Sequence, residues 1–265
     1  MNDSVLVEVR DGIATVTLNR PAALNALNSD MVDGLVAAMG QVEADAAVRC
    51  VLLQGAGDHF MAGGDLKFFH GLLERPPEAR HDHFQEMIGR LHPAIVSMRT
   101  MPKPVVASLR GAAAGFGLSL ALAADLAIAA EDAYFTLAYT LIGTSPDGGS
   151  SWHLPRLVGL RKAMEIALLG ERFDAAEAHR LGLVNRVVPA DALEAESAKI
   201  AGRLAAGAAL ALGRTKTLLS QSFDKSLAEQ LDAERDSFAT CAASNDFAEG
   251  ITAFIEKRKA TFTGS

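Results

Sequence analysis

GAAAGFGLSLALAADLAIAA, residues 111–130, is the stretch that decides the fold. It carries no Lys or Arg and is long enough to cross a bilayer as one helix. Its three glycines (Gly111, Gly115, Gly117) and Asp125 argue against that, as does a change of period part-way along. The expected structure is a helix opening at Gly115 and buried in a soluble core, followed by a buried strand over DLAIAA. Just upstream, KPVVASL (103–109) reads as another strand. Strand, glycine turn, helix, strand is the grammar of an α/β core.

Working outward, VLVEVRDGIATVTLNR (5–20) reads as a hairpin. Val5, Val7 and Val9 alternate, Asp11-Gly12 makes the turn, and Asn19-Arg20-Pro21 ends it. Asn28 or Ser29 caps a helix through about Glu43, with Met31, Leu35, Ala38 and Met39 on one face. CVLLQG (50–55) is a short buried strand, and Asp65 caps the helix that starts at LKFFHGLL. ERPPEARHDHF (74–84), polar and Pro-rich, reads as a mobile surface segment ahead of a helix over QEMIGRLHPAIVSMRTM (85–101). After residue 150 only LVNRVV (183–188) is a clear strand, and from about residue 191 helix follows helix. The last helix opens with Asp246-x-x-Glu249, a capping-box pattern. The fold class is therefore α/β: repeated strand-strand-helix units in a core over 1–190, then a C-terminal helical subdomain over 191–265.

The bulk numbers narrow the function. A chain of 265 residues with 49% hydrophobic content supports one large domain or a domain with a helical appendage. The net charge of −7 excludes a nucleic-acid partner on global charge. Cys50 and Cys241 have no metal or redox spacing, which fits a reducing cytoplasm. No basic region precedes an apolar stretch in MNDSVLVEVRDG, so no signal peptide and no membrane segment are expected. His81-x-His83 lacks further ligands at sensible spacing and reads as an exposed helix face, so no metal is expected. His153, after Trp152, is either a core or surface histidine or a residue lining the site.

Two glycine-rich segments join a strand to a helix start: HFMAGGDL (59–66) and RGAAAGFG (110–117). The first N–H groups of a helix lack intrahelical partners, and two aimed at one point form an oxyanion hole. Taken singly, each segment is better read as a tight turn that needs glycine for steric reasons. Neither matches the dinucleotide fingerprint or the P-loop.

Taken together with NRPAALNALN (19–28), KPVVASLRGAAAGFGLSLALAADLAIA (103–129), LIGTSPDGGSSWHLPRLVG (141–159) and EGITAFIEKRKATF (249–262), they resemble the crotonase (enoyl-CoA hydratase/isomerase) superfamily over essentially the whole chain. The resemblance implies a spiral of ββα units. It implies a coenzyme A thioester as substrate with no permanently bound cofactor, and a homotrimer or a hexamer made of two trimers. It places the thioester carbonyl between the backbone N–H groups of Ala62 and Phe116. The Phe116 ring either shapes the acyl pocket or packs in the core. Coenzyme A is expected against the backbone of Ala23 and Leu24 and the loop carrying Phe60, Gly63, Asp65 and Leu66. Gly115 and Tyr139 line the substrate, and Phe254 and Lys257 reach it from a neighbouring subunit.

Hydratases of this family use two glutamates, because hydration must both deprotonate water and protonate a carbon. Here the matching positions hold Ser119 and Tyr139, neither of which replaces a carboxylate. In isomerase-like and dehalogenase-like members an Asp matching Asp147 does the chemistry. Within TSPDGGS (144–150) Asp147 is otherwise a good turn residue. A double-bond shift needs one carboxylate, so the resemblance implies an enoyl-CoA isomerase with Asp147 as acid/base. The alternatives are a hydratase with atypical catalytic residues, a dehalogenase or hydrolase with Asp147 as nucleophile, and a non-catalytic acyl-CoA-binding protein.

Overall fold

A computed structural model describes residues 3–265. The chain opens with the expected hairpin, β1 (Val5–Arg10) and β2 (Ile13–Leu18), paired from Val5↔Leu18 to Arg10↔Ile13. Asp11 and Gly12 both have positive φ (50° and 77°), as a two-residue turn matching strand twist requires. Ala14, Val16 and Leu18 of β2 face inward and are fully buried. Helix α1 (Ser29–Ala44) begins where the Asn28 side chain accepts the Met31 N–H, and it buries Met31, Leu35, Ala38 and Met39 as its spacing demands.

There follow β3 (Cys50–Gly55), α2 (Leu66–Gly71), α3 (Pro77–Thr100), β4 (Val105–Leu109), β5 (Ala112–Ala114), α4 (Phe116–Ala123), β6 (Leu126–Ala130) and β7 (Tyr134–Thr136). The order of the strands shows the spiral. The six-stranded sheet runs β1-β2-β3-β4-β6-β9, where β9 is Arg186–Val188. The three-stranded sheet runs β5-β7-β8, where β8 is Phe173–Asp174, and Met61 bridges Ala113 in parallel beside it. Each turn thus lays one strand in the large sheet and the next in the small one. The sequence β3 then Met61, β4 then β5, β6 then β7 advances in the same order through both layers.

The stretch 111–130 becomes β5, α4 and β6. Helix α4 has only eight residues, all buried, about 12 Å of helix where a bilayer core needs about 30 Å. Among the described residues no helix is long and apolar enough to cross a membrane. Asp125, at the junction, accepts the Val105 N–H at 2.8 Å and pairs with Arg99 at 3.4 Å and Lys216 at 2.7 Å.

The remaining helices are α5 (Ser150–Val158), α6 (Leu160–Leu169), α7 (Ala175–Arg180), α8 (Leu193–Ala205), α9 (Ala209–Gln221), α10 (Leu227–Ala242) and α11 (Asn245–Ile255). Helix α8 covers the second face of the large sheet, where Leu193, Ala201 and Ala205 pack with Cys50, Leu52, Val106 and Ile128. Lys216 of α9 reaches under the core, its Nζ donating to the carbonyls of Met98 (2.7 Å) and Lys103 (3.0 Å) as well as to Asp125.

Two readings are corrected. Residues 77–84 are not a mobile segment but the first turns of α3. Pro77 occupies the first helical position, where a missing N–H costs nothing, with Pro76 extended before it; the Phe84 ring meets Phe69 edge-on at 5.0 Å. The last helix is capped by Ser244, whose side chain accepts the Phe247 N–H. Asp246 instead accepts from Thr263 and Gly264, pinning the C-terminal tail. A complete capping box occurs one helix earlier, between Ser226 and Glu229.

Candidate active site

Two strand-to-helix turns lie against each other. A Cβ built on Gly115 would sit 3.5 Å from the Gly63 Cα, and one built on Gly63 would sit 3.0 Å from the Ala114 carbonyl oxygen. Gly115, at φ 51° and ψ −123°, holds a conformation open to glycine alone. This contact sets residues 64 and 116 beside each other. Neither the Gly64 nor the Phe116 N–H meets an acceptor among the described residues. Phe116 opens α4, so no carbonyl lies one turn behind it. Gly64 sits between two paired neighbours: Leu27 N–H donates to the Gly63 carbonyl (2.7 Å) and Asp65 N–H to the Leu27 carbonyl (2.9 Å). Its own N–H therefore points the other way.

The same alternation corrects Ala62. Its N–H donates to the Leu24 carbonyl at 3.0 Å, so the free donor of this turn belongs to Gly64, not Ala62. Phe60 is corrected too. Its side chain is fully buried, its N–H donates to the Arg110 carbonyl at 2.8 Å, and its carbonyl accepts from Asn25, so it supports the loop and offers no contact surface.

Asn25 is the organiser that sequence reasoning missed. Fully buried at φ 57°, its amide donates to the carbonyls of Ala56 (3.0 Å), His59 (2.7 Å) and Phe60 (3.2 Å), while its oxygen accepts the Arg20 N–H (2.8 Å). An Asn tolerates this left-handed conformation, which was the available signal in ALNALN. Asp65 caps α2 by accepting from Lys67 and Phe68, and its other oxygen binds the Arg20 guanidinium at 3.0 Å. Burial alone would raise its pKa; the Arg20 and helix N–H bonds outweigh that and hold it below the usual carboxylate value. Ala23 and Leu24 form the adjoining turn, with Leu24 and Leu66 exposed beside it.

Asp147 reaches the same place from a third element. A Cβ built on Gly148 would lie 2.7 Å from the Phe116 ring and 3.0 Å from the Ser119 Cβ, so the loop sits on α4 with no room for a larger residue. The Phe116 ring itself is packed in the core. The Tyr139 hydroxyl donates to Asp147 Oδ1 at 2.5 Å and lies 2.9 Å from Ser119 Oγ. The hydroxyl of Tyr139, a residue expected to line the substrate, is engaged by Asp147 and Ser119. Burial pushes the Asp147 pKa up, against the Tyr139 hydrogen bond and the charge of His92. His92, on α3, is a second neighbour that sequence reasoning missed. Burial and the adjacent carboxylate push the Tyr139 phenol well above its ordinary value.

His153 is buried against Trp152, edge-to-face at 4.8 Å, with its ring packed on Gly149 of the Asp147 loop, and desolvation with the charges of Arg99 and Arg156 lowers its pKa to about 4. Phe254, 84% exposed, and Lys257 stand on the surface at the end of α11. Among the described residues no group of three or more His, Cys, Asp or Glu could hold a metal ion.

A half-buried carboxylate on a loop packed against Phe116 and Ser119, with two backbone N–H groups that meet no acceptor among the described residues, stands on a double-layered spiral. Residues 8–265 match the sequence profile of the family described as enoyl-CoA hydratase/isomerase. The chain is 38% identical over 264 residues to a 1,2-epoxyphenylacetyl-CoA isomerase of Escherichia coli (strain K12), covering 100% of both chains. It is 36% identical to a crotonyl-CoA hydratase of Syntrophomonas wolfei, covering 98% of each. The crystal structure of an enoyl-CoA hydratase from Polaromonas sp. JS666 superposes with a TM-score of 0.90 at 37% identity, covering 97% of this chain and 99% of that one. The chain belongs to the enoyl-CoA hydratase/isomerase family, within the crotonase superfamily, and is an acyl-CoA-processing enzyme.

Proposed function

We propose that this enzyme shifts the double bond of a β,γ-enoyl-CoA, with Asp147 as the single acid/base. The carrying observation is the trio at the site: where a two-carboxylate mechanism needs two acids, the structure has Ser119 and Tyr139, both bonded into a chain ending on Asp147. Asp147 removes a proton from the α-carbon, the electron pair moves into the α,β bond as the β,γ pair shifts, and the Asp147 carboxyl, after exchange with solvent, delivers a proton to the γ-carbon. The enolate oxygen formed in between lies against the Gly64 and Phe116 N–H groups, donors typically worth ~10²–10³ in rate each. Burial favours this cycle because it keeps the carboxylate basic enough to take a carbon-bound proton.

In this reading coenzyme A runs past Ala23, Leu24, Gly63, Asp65 and Leu66, while Gly115 holds Phe116 in place. The core is 1–190, and the helices of 191–265 pack against neighbouring copies in a cytoplasmic homotrimer or hexamer, whose Phe254 and Lys257 complete the coenzyme site. Exposed Leu227, Phe238, Phe254 and Ile255 on these helices support that assembly. The test compares two substrates in D₂O. 3-Hexenoyl-CoA should convert to the conjugated 2-enoyl thioester with deuterium entering at the γ-carbon, and at the α-carbon of substrate through reversal, while crotonyl-CoA should be hydrated negligibly. Rapid hydration with no isomerisation would overturn the reading in favour of a hydratase.

A further inference from the structure

The hydroxyl groups around Asp147 have only one consistent proton order. Tyr139 donates its single O–H proton to Asp147 Oδ1, so it can only accept from Ser119. Ser119 therefore donates to Tyr139 at 2.9 Å in preference to the Gly115 carbonyl at 3.4 Å. The links join residues 20 and 8 apart in sequence, from α4, the turn after β7 and the loop before α5. Asp147 Oδ2 receives no side-chain hydrogen bond among the described residues.

We propose that Ser119 and Tyr139 act as positioning residues: a one-way hydroxyl chain that holds Oδ1 of Asp147 and leaves Oδ2 as the oxygen that takes and returns the proton. This rests on Asp147 being the acid/base. The chain keeps its direction through the cycle, because Oδ1 accepts from Tyr139 whether or not Oδ2 carries a proton. It stabilises the ionised form more, since a hydrogen bond to a charged acceptor is the stronger kind. Ser119 touches no carboxylate and works only through Tyr139. The titratable groups facing Asp147 are Tyr139, on the turn after β7, and His92, on α3; α5 contributes His153, whose ring packs on Gly149 of the same loop, and α4 the neutral Ser119.

The test uses the full-length protein with 3-hexenoyl-CoA. Tyr139→Phe, which keeps the ring, should lower kcat about tenfold with KM nearly unchanged. It should also move the acidic limb of kcat/KM up by about one pH unit, the size expected when a charge-assisted bond is lost. Ser119→Ala should move both in the same direction by less, and should add nothing in the Tyr139→Phe background. His92→Gln, made alongside, should leave the Tyr139→Phe displacement in place. Carboxyl ¹³C titration of labelled protein, with Asp147 assigned through Asp147→Asn, reads the same upward displacement without any turnover. An inactive Asp147→Asn with an unmoved profile in Tyr139→Phe overturns this proposal alone. So does a Ser119→Ala effect that persists in the double variant. Full turnover in Asp147→Asn overturns the acid/base reading and this one with it.

Discussion

Two loops set two glycines and an aspartate before a helix in opposite order, Gly63-Gly64-Asp65 before α2 and Asp147-Gly148-Gly149 before α5. In the first, Asp is the last residue outside the helix. Its carboxylate reaches two free N–H groups of the first turn and is tied to Arg20. In the second, two glycines at φ 60° and 80° separate Asp from the helix, whose cap is Gly149 with no side-chain bond. That carboxylate turns inward to Tyr139 and is half-buried. The order of glycine and aspartate thus separates an acid held by three donors from one that accepts a single side-chain hydrogen bond. Capping consumes a carboxylate, and displacing it by two residues frees it.

The sharpest way to break the comparison is to neutralise each acid. Asp147→Asn keeps the turn chemistry but accepts no proton, so isomerisation of 3-hexenoyl-CoA should fall by roughly 10²–10⁴ without any fall in melting temperature. Asp65→Asn should leave most of the rate. Equal rate losses in the two variants would erase the distinction.

Next in size is stability. Asp65→Ala removes the α2 cap and leaves the Arg20 guanidinium without its carboxylate, at a cost of about 2 kcal/mol read from urea unfolding. Asp147→Ala should cost less, because no helix end depends on its side chain.

The pH dependence sharpens the contrast, because the two acids have opposite signs. Asp65, with its folded pKa depressed, contributes stability present above the unfolded value and lost as pH falls through the folded one. Asp147 has a raised folded pKa, so the folded chain holds that proton more tightly. Its contribution is present below the unfolded value and fades as pH rises through the folded one. Urea midpoints above about pH 4, the ordinary carboxylate value, should therefore rise in Asp147→Asn and drop in Asp65→Asn.

The smallest effect concerns the backbone of the second loop. Ser150, fully buried, donates its hydroxyl to the Asp147 carbonyl at 3.1 Å. Ser150→Ala should cost about 1 kcal/mol and little rate. A large rate loss would show that the loop, and not its displaced carboxylate alone, sets the chemistry.

What the sequence disclosed follows the range of the interactions. The hairpin, the Asn28 and Asp65 caps and the short buried α4 are settled within a few residues, so periodicity and turn chemistry reveal them. Helix α3 was obscured because Pro76 and Pro77 read as breakers, although at a helix start they are compatible with it. Ala62 and Gly64 are two residues apart on one turn, and which N–H is free depends on pairing with Leu24 and Leu27, brought from another part of the chain. The Ser119–Tyr139–Asp147 chain needed three separate elements to close before it existed at all. The resemblance pointed to all three positions but not to the bonds among them.

Lys216 carries a consequence for how the protein is made. Its ammonium group sits beneath the core, bonded to Asp125 and to the carbonyl of Met98, 118 residues earlier in the chain. During synthesis the spiral emerges first, with the Asp125 carboxylate held by Arg99 and the Val105 N–H and without its lysine. The core therefore waits, with one buried charge incompletely matched, until α9 leaves the ribosome and delivers its lysine. A chain cut short before residue 216 should stay bound to chaperones, and restoring α9 should release it.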